Sequence, residues 1–159
     1  MIHTAIETVA RALNTYLKNK YGLDENIVVV SGLVNPDGSI PNEITNKIVL
    51  TLVNTRQDMQ NRSLGYKPGA DINQNISLNL SVIIAASFND YAEALKFHYA
   101  AIEFMHANPI FQSDSGDFER LTTEPAQLSF EDTDHVWQTI GCKYIPSSVY
   151  WFRVSGINN

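Results

Sequence analysis

Apolar side chains recur every three or four residues at the start of the chain. They are Ile2, Ile6, Val9, Leu13 and Leu17, and together they form one stripe on a helical surface. The basic residues of this stretch lie off the stripe, and Gly22 follows it. The pattern therefore predicts an amphipathic helix that ends near Gly22.

Later segments have the composition of β-strands. They are residues 27–30, 47–54, 76–88 and 147–154, with a weaker strand region at 121–130 that Pro125 interrupts. In KIVLTLVN (47–54), the apolar residues alternate between two faces, with Ile48, Leu50 and Leu52 on one and Val49, Thr51 and Val53 on the other. Both faces of this strand are therefore predicted to be covered.

Two further helices follow strand segments. Asn89 or Asp90 is a suitable N-cap for the first, and Glu93 stands three residues after Asp90, as in a capping box. The predicted apolar stripe of this helix is Tyr91, Ala94, Leu95, His98, Ile102 and Met105. A shorter helix is predicted over residues 131–140, with Gly141 at its C-terminal end.

This order of elements lacks the regular alternation of a doubly wound sheet. We predict a single α+β domain over residues 1–159, with a mixed or mostly antiparallel sheet that carries helices on one face. The last strand, SSVYWFRV, is apolar on both faces. It is therefore expected to be central in the sheet or covered by a partner on one side.

Composition narrows the classes of partner. The 159-residue chain has a net charge of −6 and no basic cluster, which disfavours nucleic acid and anionic membrane surfaces. The longest uninterrupted apolar run, residues 82–86, is far below the roughly 20 residues that cross a bilayer, so a soluble protein is expected. The start, MIHTAIETVARAL, does not have the pattern of a secretory signal.

Candidate chemistry is sparse. Asp132, Asp134 and His135 could bind a metal or share a proton, but acids and Thr at this position are also what a helix N-terminus needs, and we prefer capping. Ser87 follows a strand without the glycines of a nucleophile elbow. No catalytic, cofactor-binding or metal-binding residue is predicted. Residues 55–75 form a long polar connection, which is typical of a segment that orders on binding.

Four stretches carry a family resemblance. They are MIHTAIETVARALNTYL, NKIVLTLVNTRQD, NISLNLSVIIAASFNDYAEALKFHYAAIEFMHANPIF and LSFEDTDHVWQTIGCKYIPSSVYWFRV. In this order they resemble the N-terminal domain of the cap, or tail-terminator, proteins of extracellular contractile injection systems. These are phage-tail-like particles of the virulence-cassette and antifeeding-prophage type. The shared motifs contain no catalytic signature.

The resemblance implies a subunit similar to phage tail terminators and a homo-hexameric ring. This ring would sit on the baseplate-distal end of the inner tube and sheath, stop their polymerisation and link the two. Together with the composition and the short apolar runs, it leads us to expect no enzymatic activity, no cofactor, no nucleic acid and no direct membrane insertion. Assembly in the cytoplasm as part of the particle is expected, and later release or association with a membrane such as the thylakoid stays open.

The assembly interface is predicted to involve the polar loop at residues 55–75 and the strand edge near Trp151. Its candidate residues are Arg56, Arg62, Lys67 and Trp151. Two other functions remain open at this point. One is a small metal-dependent hydrolase that uses Asp132, Asp134 and His135, and the other is a monomeric binding domain.

Overall fold

The computed structural model describes residues 1–58 and 76–156. Its helices are α1 (Ile2–Tyr21), α2 (Tyr91–Ala107) and α3 (Phe130–Ile140), with a short 3-10 turn at Asn42–Ile44. Its strands are β1 (Val28–Val30), β2 (Lys47–Gln57), β3 (Leu78–Ser87), β4 (Ile110–Phe111), β5 (Arg120–Pro125) and β6 (Ser147–Ser155). In this part of the chain, no helix has the length and apolar character that crossing a bilayer requires.

The strands form one sheet in the order β1-β2-β3-β6-β5-β4. β1 runs parallel to β2, and every other neighbouring pair is antiparallel. The prediction of an α+β fold with a mixed, mostly antiparallel sheet is therefore confirmed. β6 lies between β3 and β5, which explains why its apolar residues face both ways.

Helices cover both faces of this sheet, so the prediction that they share one face is wrong. On the first face, α1 and α2 bury one set of alternate strand residues, including Ile48, Ile84 and Phe152. On the second face, Trp137 of α3 packs over Val49 and Ile83. The central strands carry apolar residues at successive positions because successive side chains point to opposite faces and helices bury both faces.

Local capping explains where the helices begin and end. Gly22 has φ 64° and Gly141 has φ 83°, a left-handed conformation that closes α1 and α3 at little cost only for glycine. The side chain of Asp90 accepts a hydrogen bond from the backbone N–H of Glu93, which confirms Asp90 as the N-cap of α2. Ser129 and Asp132 form a reciprocal capping box at the start of α3.

The apolar stripe predicted for α2 coincides with the buried face only at Ala94 and Met105. The buried residues are Ala94, Phe97, Ala100, Ala101, Phe104 and Met105. Tyr91, Leu95 and Ile102 of the predicted stripe are exposed by 67%, 46% and 37%. Ala100 and Ala101 let α2 approach the sheet closely beside the buried rings of Phe97 and Phe104, and Leu95 is left on its outer flank.

His98 of α2 gives the fold a pH dependence that can be measured. Its Nε2 lies 2.8 Å from Ser148 Oγ, and burial lowers the pKa of the imidazole below its usual 6.5. Below pH 6.5 the unfolded chain therefore binds a proton that the folded chain resists, and stability falls as the pH falls. In urea unfolding from pH 7 to pH 5, we expect His98→Gln to lose less stability than the wild type. An equal loss would contradict this assignment.

Candidate assembly surface

The second face of the sheet extends beyond the area that α3 covers. Two cross-strand rows lie outside this cover. One row is Asn54, Ser81, Trp151 and Glu124, and the next is Arg56, Asn79, Arg153 and Thr122. We call these two rows the open sheet face. All of these residues except Glu124 and Thr122 line, together with the exposed side of α3, a cavity of about 600 Å³.

A β-bulge in β2 places Arg56 on this face. Leu52 pairs with Val82 and Asn54 pairs with Ser81, so Val53 is an extra residue in the ladder. Strict alternation from Val49 would put Arg56 on the face of α1 and α2. Because of the extra residue, Arg56 pairs with Asn79 and lies on the same face as Trp151.

The electrostatics of the open sheet face are dominated by two arginines. Arg153 Nε donates to Asn79 Oδ1 at 3.3 Å, and Arg153 Nη2 lies 3.5 Å from Glu124 Oε1. Both partners are exposed, so this ion pair contributes little to stability. No hydrogen bond or ion pair to Arg56 is found within residues 1–58 and 76–156. Arg56 is exposed, and a guanidinium can bind a carboxylate through two parallel hydrogen bonds.

Trp151 is the largest apolar group on this surface and remains 48% exposed. Its strand neighbours Tyr150 and Phe152 point to the first face and are buried. The structure thus separates adjacent residues of β6 into a core set and a surface set. Trp151 itself does not lie at a strand edge, because β6 is flanked by β3 and β5 at this position.

The predicted interface residues are only partly brought together. Arg56 and Trp151 both line the cavity of the open sheet face. Arg62 and Lys67 lie outside the described residues. Two further members, Asn79 and Arg153, are absent from the predicted set, although the alternation of SSVYWFRV already puts Arg153 on the face of Trp151. Asn79 could be found only from the pairing of strands that are distant in sequence.

The acidic start of α3 has a structural role. Asp132 Oδ2 accepts from the Ser129 backbone N–H at 3.2 Å, and Ser129 Oγ accepts from the Asp132 backbone N–H at 3.0 Å. Asp134 Oδ2 accepts from Gln138 Nε2 at 2.5 Å. Across the described parts of the chain, no group of three or more His, Cys, Asp and Glu side chains is arranged to hold a metal. The capping interpretation of Asp132 is confirmed.

A rigid sheet face that carries an exposed tryptophan and two arginines is typical of a module that binds other proteins, since both residue types are enriched in such contacts. The chain belongs to the Pvc16 N-terminal domain family, whose sequence profile matches residues 4–158. This match confirms the family that the sequence motifs resemble. Among functionally curated proteins, no sequence matches this chain.

Solved structures that share the fold include two terminator proteins. One is the sheath/tube terminator, in the extended state, of an extracellular contractile injection system, PVC. It is 14% identical, with a TM-score of 0.59, over 99% of this chain and 56% of that one. The other is the tube-terminating cap of the anti-feeding prophage, 16% identical, with a TM-score of 0.59, over 95% of this chain and 55% of that one. The chain thus spans about half the length of these proteins.

Proposed function

We propose that this chain acts as a structural cap of a contractile injection system. In this role it ends the growth of the inner tube and sheath at the baseplate-distal end and links the two. The observation that carries the proposal is family membership over nearly the whole chain, together with a fold similar to that of two terminator proteins. The proposal includes assembly in the cytoplasm, incorporation into the particle and no enzymatic activity.

The open sheet face supplies the contact surface in this proposal. Trp151 offers apolar area on a rigid strand, and Arg56 offers an exposed guanidinium. Such a pair resembles the aromatic and arginine residues that dominate many interfaces. The residues beneath them are held by the β2–β3–β6 ladder, so little conformational entropy is lost on binding.

A ring is the simplest arrangement that covers the end of a cylinder. Ring contacts are heterologous, so each subunit presents two different patches to its neighbours. We propose a homo-hexamer in which the open sheet face is one contact to tube, sheath or neighbouring subunit. Native mass spectrometry of the purified protein distinguishes such a ring from a monomeric binding domain.

The test is the double variant Arg56→Glu, Trp151→Ala. We expect it to remain folded, because both side chains are exposed, and to bind assembled tube–sheath particles at least about tenfold more weakly. Co-sedimentation with particles lacking their own cap measures this binding.

Arg11→Glu is the matched control. Arg11 lies on α1, on the opposite side of the sheet, and its ion pair with Asp114 is exposed. This charge reversal should leave co-sedimentation unchanged. Wild-type binding by the double variant would exclude the open sheet face as the contact surface.

A further inference from the structure

A second surface, separate from the open sheet face, lies where β5 ends beside β6. β5 pairs with β6 only as far as Pro125, which lies opposite Tyr150. The last hydrogen bond between the two backbones is donated by the Ala126 N–H to the Val149 carbonyl oxygen, at 2.8 Å. On its other side β6 continues to pair with β3 as far as Ser147 opposite Ala85. The first residues of β6 therefore have a strand on one side only.

The free side of β6 presents main-chain hydrogen-bonding groups. In an antiparallel ladder, alternate residues direct their N–H and C=O groups to the same edge. Because the Val149 carbonyl points toward β5, the N–H and C=O of Ser147 point the same way, past the end of β5. In the described ranges, neither group has a hydrogen-bond partner on that side.

Apolar side chains from both faces of the sheet enclose this edge. On the first face, Ile102 of α2 lines the edge. The outer flank of α2 also carries Leu95 and Tyr99, which are exposed by 46% and 63%. Phe130, which is 98% exposed, and Trp137 contribute from α3 on the second face. The result is a groove of about 940 Å³ with a strand edge on its floor.

The shape and charge of the groove define what it can hold. The edge is recessed between two helices, so an extended strand reaches it more readily than a folded surface. A strand there has side chains that point alternately toward Ile102 and toward Phe130, and both positions favour apolar residues. The described lining contains one carboxylate, Asp134, and no lysine or arginine, which favours a neutral or basic segment.

We propose that this groove binds an extended segment of a protein partner, which adds as a strand to residues 147–149 of β6. The segment is apolar on both faces and carries a lysine or arginine next to Asp134. The main chain of the partner supplies the hydrogen bonds, and the two apolar walls select its side chains. This binding site does not depend on the proposed cap function.

The probe is the fluorescein-labelled peptide KTIVVTIK, acetylated and amidated, titrated with the full chain in a fluorescence polarisation assay. We expect saturable binding at concentrations below roughly 1 mM. The same peptide with N-methyl groups on alternate residues, on the edge that faces β6, should bind at least about tenfold more weakly, because it lacks the donors that strand addition needs. Equal binding of the two peptides, or no binding, would overturn the proposal.

Variants of the chain locate the site. Phe130→Asp and Ile102→Asp should each weaken peptide binding at least about tenfold, because each places a charge in an apolar wall without disturbing a buried residue. Ile40→Asp is the control, since Ile40 is 56% exposed and does not line the groove. If sedimentation instead shows a dimer of the wild type that Phe130→Asp dissociates, a second copy occupies the groove and the proposal is wrong.

Discussion

Replacing Phe152 with alanine is expected to lower the free energy of unfolding by about 3–5 kcal/mol. Phe152 is 0% exposed and lies in the first core, where α1 and α2 close over β3 and β6. The substitution removes an aromatic side chain from a site that adjacent strands hold on both sides, so the cavity cannot collapse easily. Urea unfolding followed by circular dichroism measures the loss.

Trp151→Ala is the matched control for this prediction. It removes a larger side chain from the next residue of the same strand, but that side chain is 48% exposed on the open sheet face. We expect a loss below about 1 kcal/mol. If Trp151→Ala destabilised the chain as much as Phe152→Ala, Trp151 would be a core residue and the open sheet face would not be free for a partner.

Trp137→Ala should also lower the free energy of unfolding by about 3–5 kcal/mol, because Trp137 belongs to the second buried cluster, between α3 and the sheet. Trp137 is 5% exposed, and it is the buried residue of α3. Its ring contacts Tyr144 edge-on, with a centroid distance of 5.4 Å, and packs over Val49 and Ile83. Without this ring α3 loses its main contact with the sheet. Hydrogen exchange should then show faster exchange in α3 than in α1.

Phe130→Ala on the same helix is the control for Trp137→Ala. Phe130 is 98% exposed, so its removal should change stability by no more than about 0.5 kcal/mol. Comparable destabilisation by the two variants would mean that α3 is not held by Trp137. Both side chains also line the apolar groove beside β6. Comparing the two variants therefore distinguishes an effect on the stability of α3 from an effect on the groove.

The sequence predicts the elements well because their signals are local. The stripe of α1 has a period that only a helix satisfies, and Gly22, Asp90 and Gly141 mark helix ends by their own conformational and hydrogen-bonding preferences. The buried face of α2 is harder to predict, because apolar residues lie around much of the circumference of this helix. Its buried face mixes Ala100 and Ala101 with Phe97 and Phe104, while Leu95 and Ile102 are exposed, so the apolar pattern alone does not identify the buried face.

The candidate surface depends on information that the sequence does not contain locally. Arg56 and Trp151 are on one face only because Val53 is an extra residue in the β2 ladder. Alternation alone places Arg56 on the opposite face. In the same way, the location of α3 on the second face follows from which strands neighbour each other, and strand order is set by contacts between distant residues. Strand order also explains why β6 lies inside the sheet and why Trp151 is not at an edge.

The most direct test of the proposed cap function is electron microscopy of particles assembled with and without this protein. If the protein binds the ends of the tube and sheath and stops their growth, particles assembled in its presence should have a uniform length. In its absence, tubes and sheaths should be variable in length or should separate from each other. Restoring the wild-type chain should recover uniform particles, whereas the double variant Arg56→Glu, Trp151→Ala should not. Particles of normal length with intact ends in the absence of the protein would contradict the proposed function.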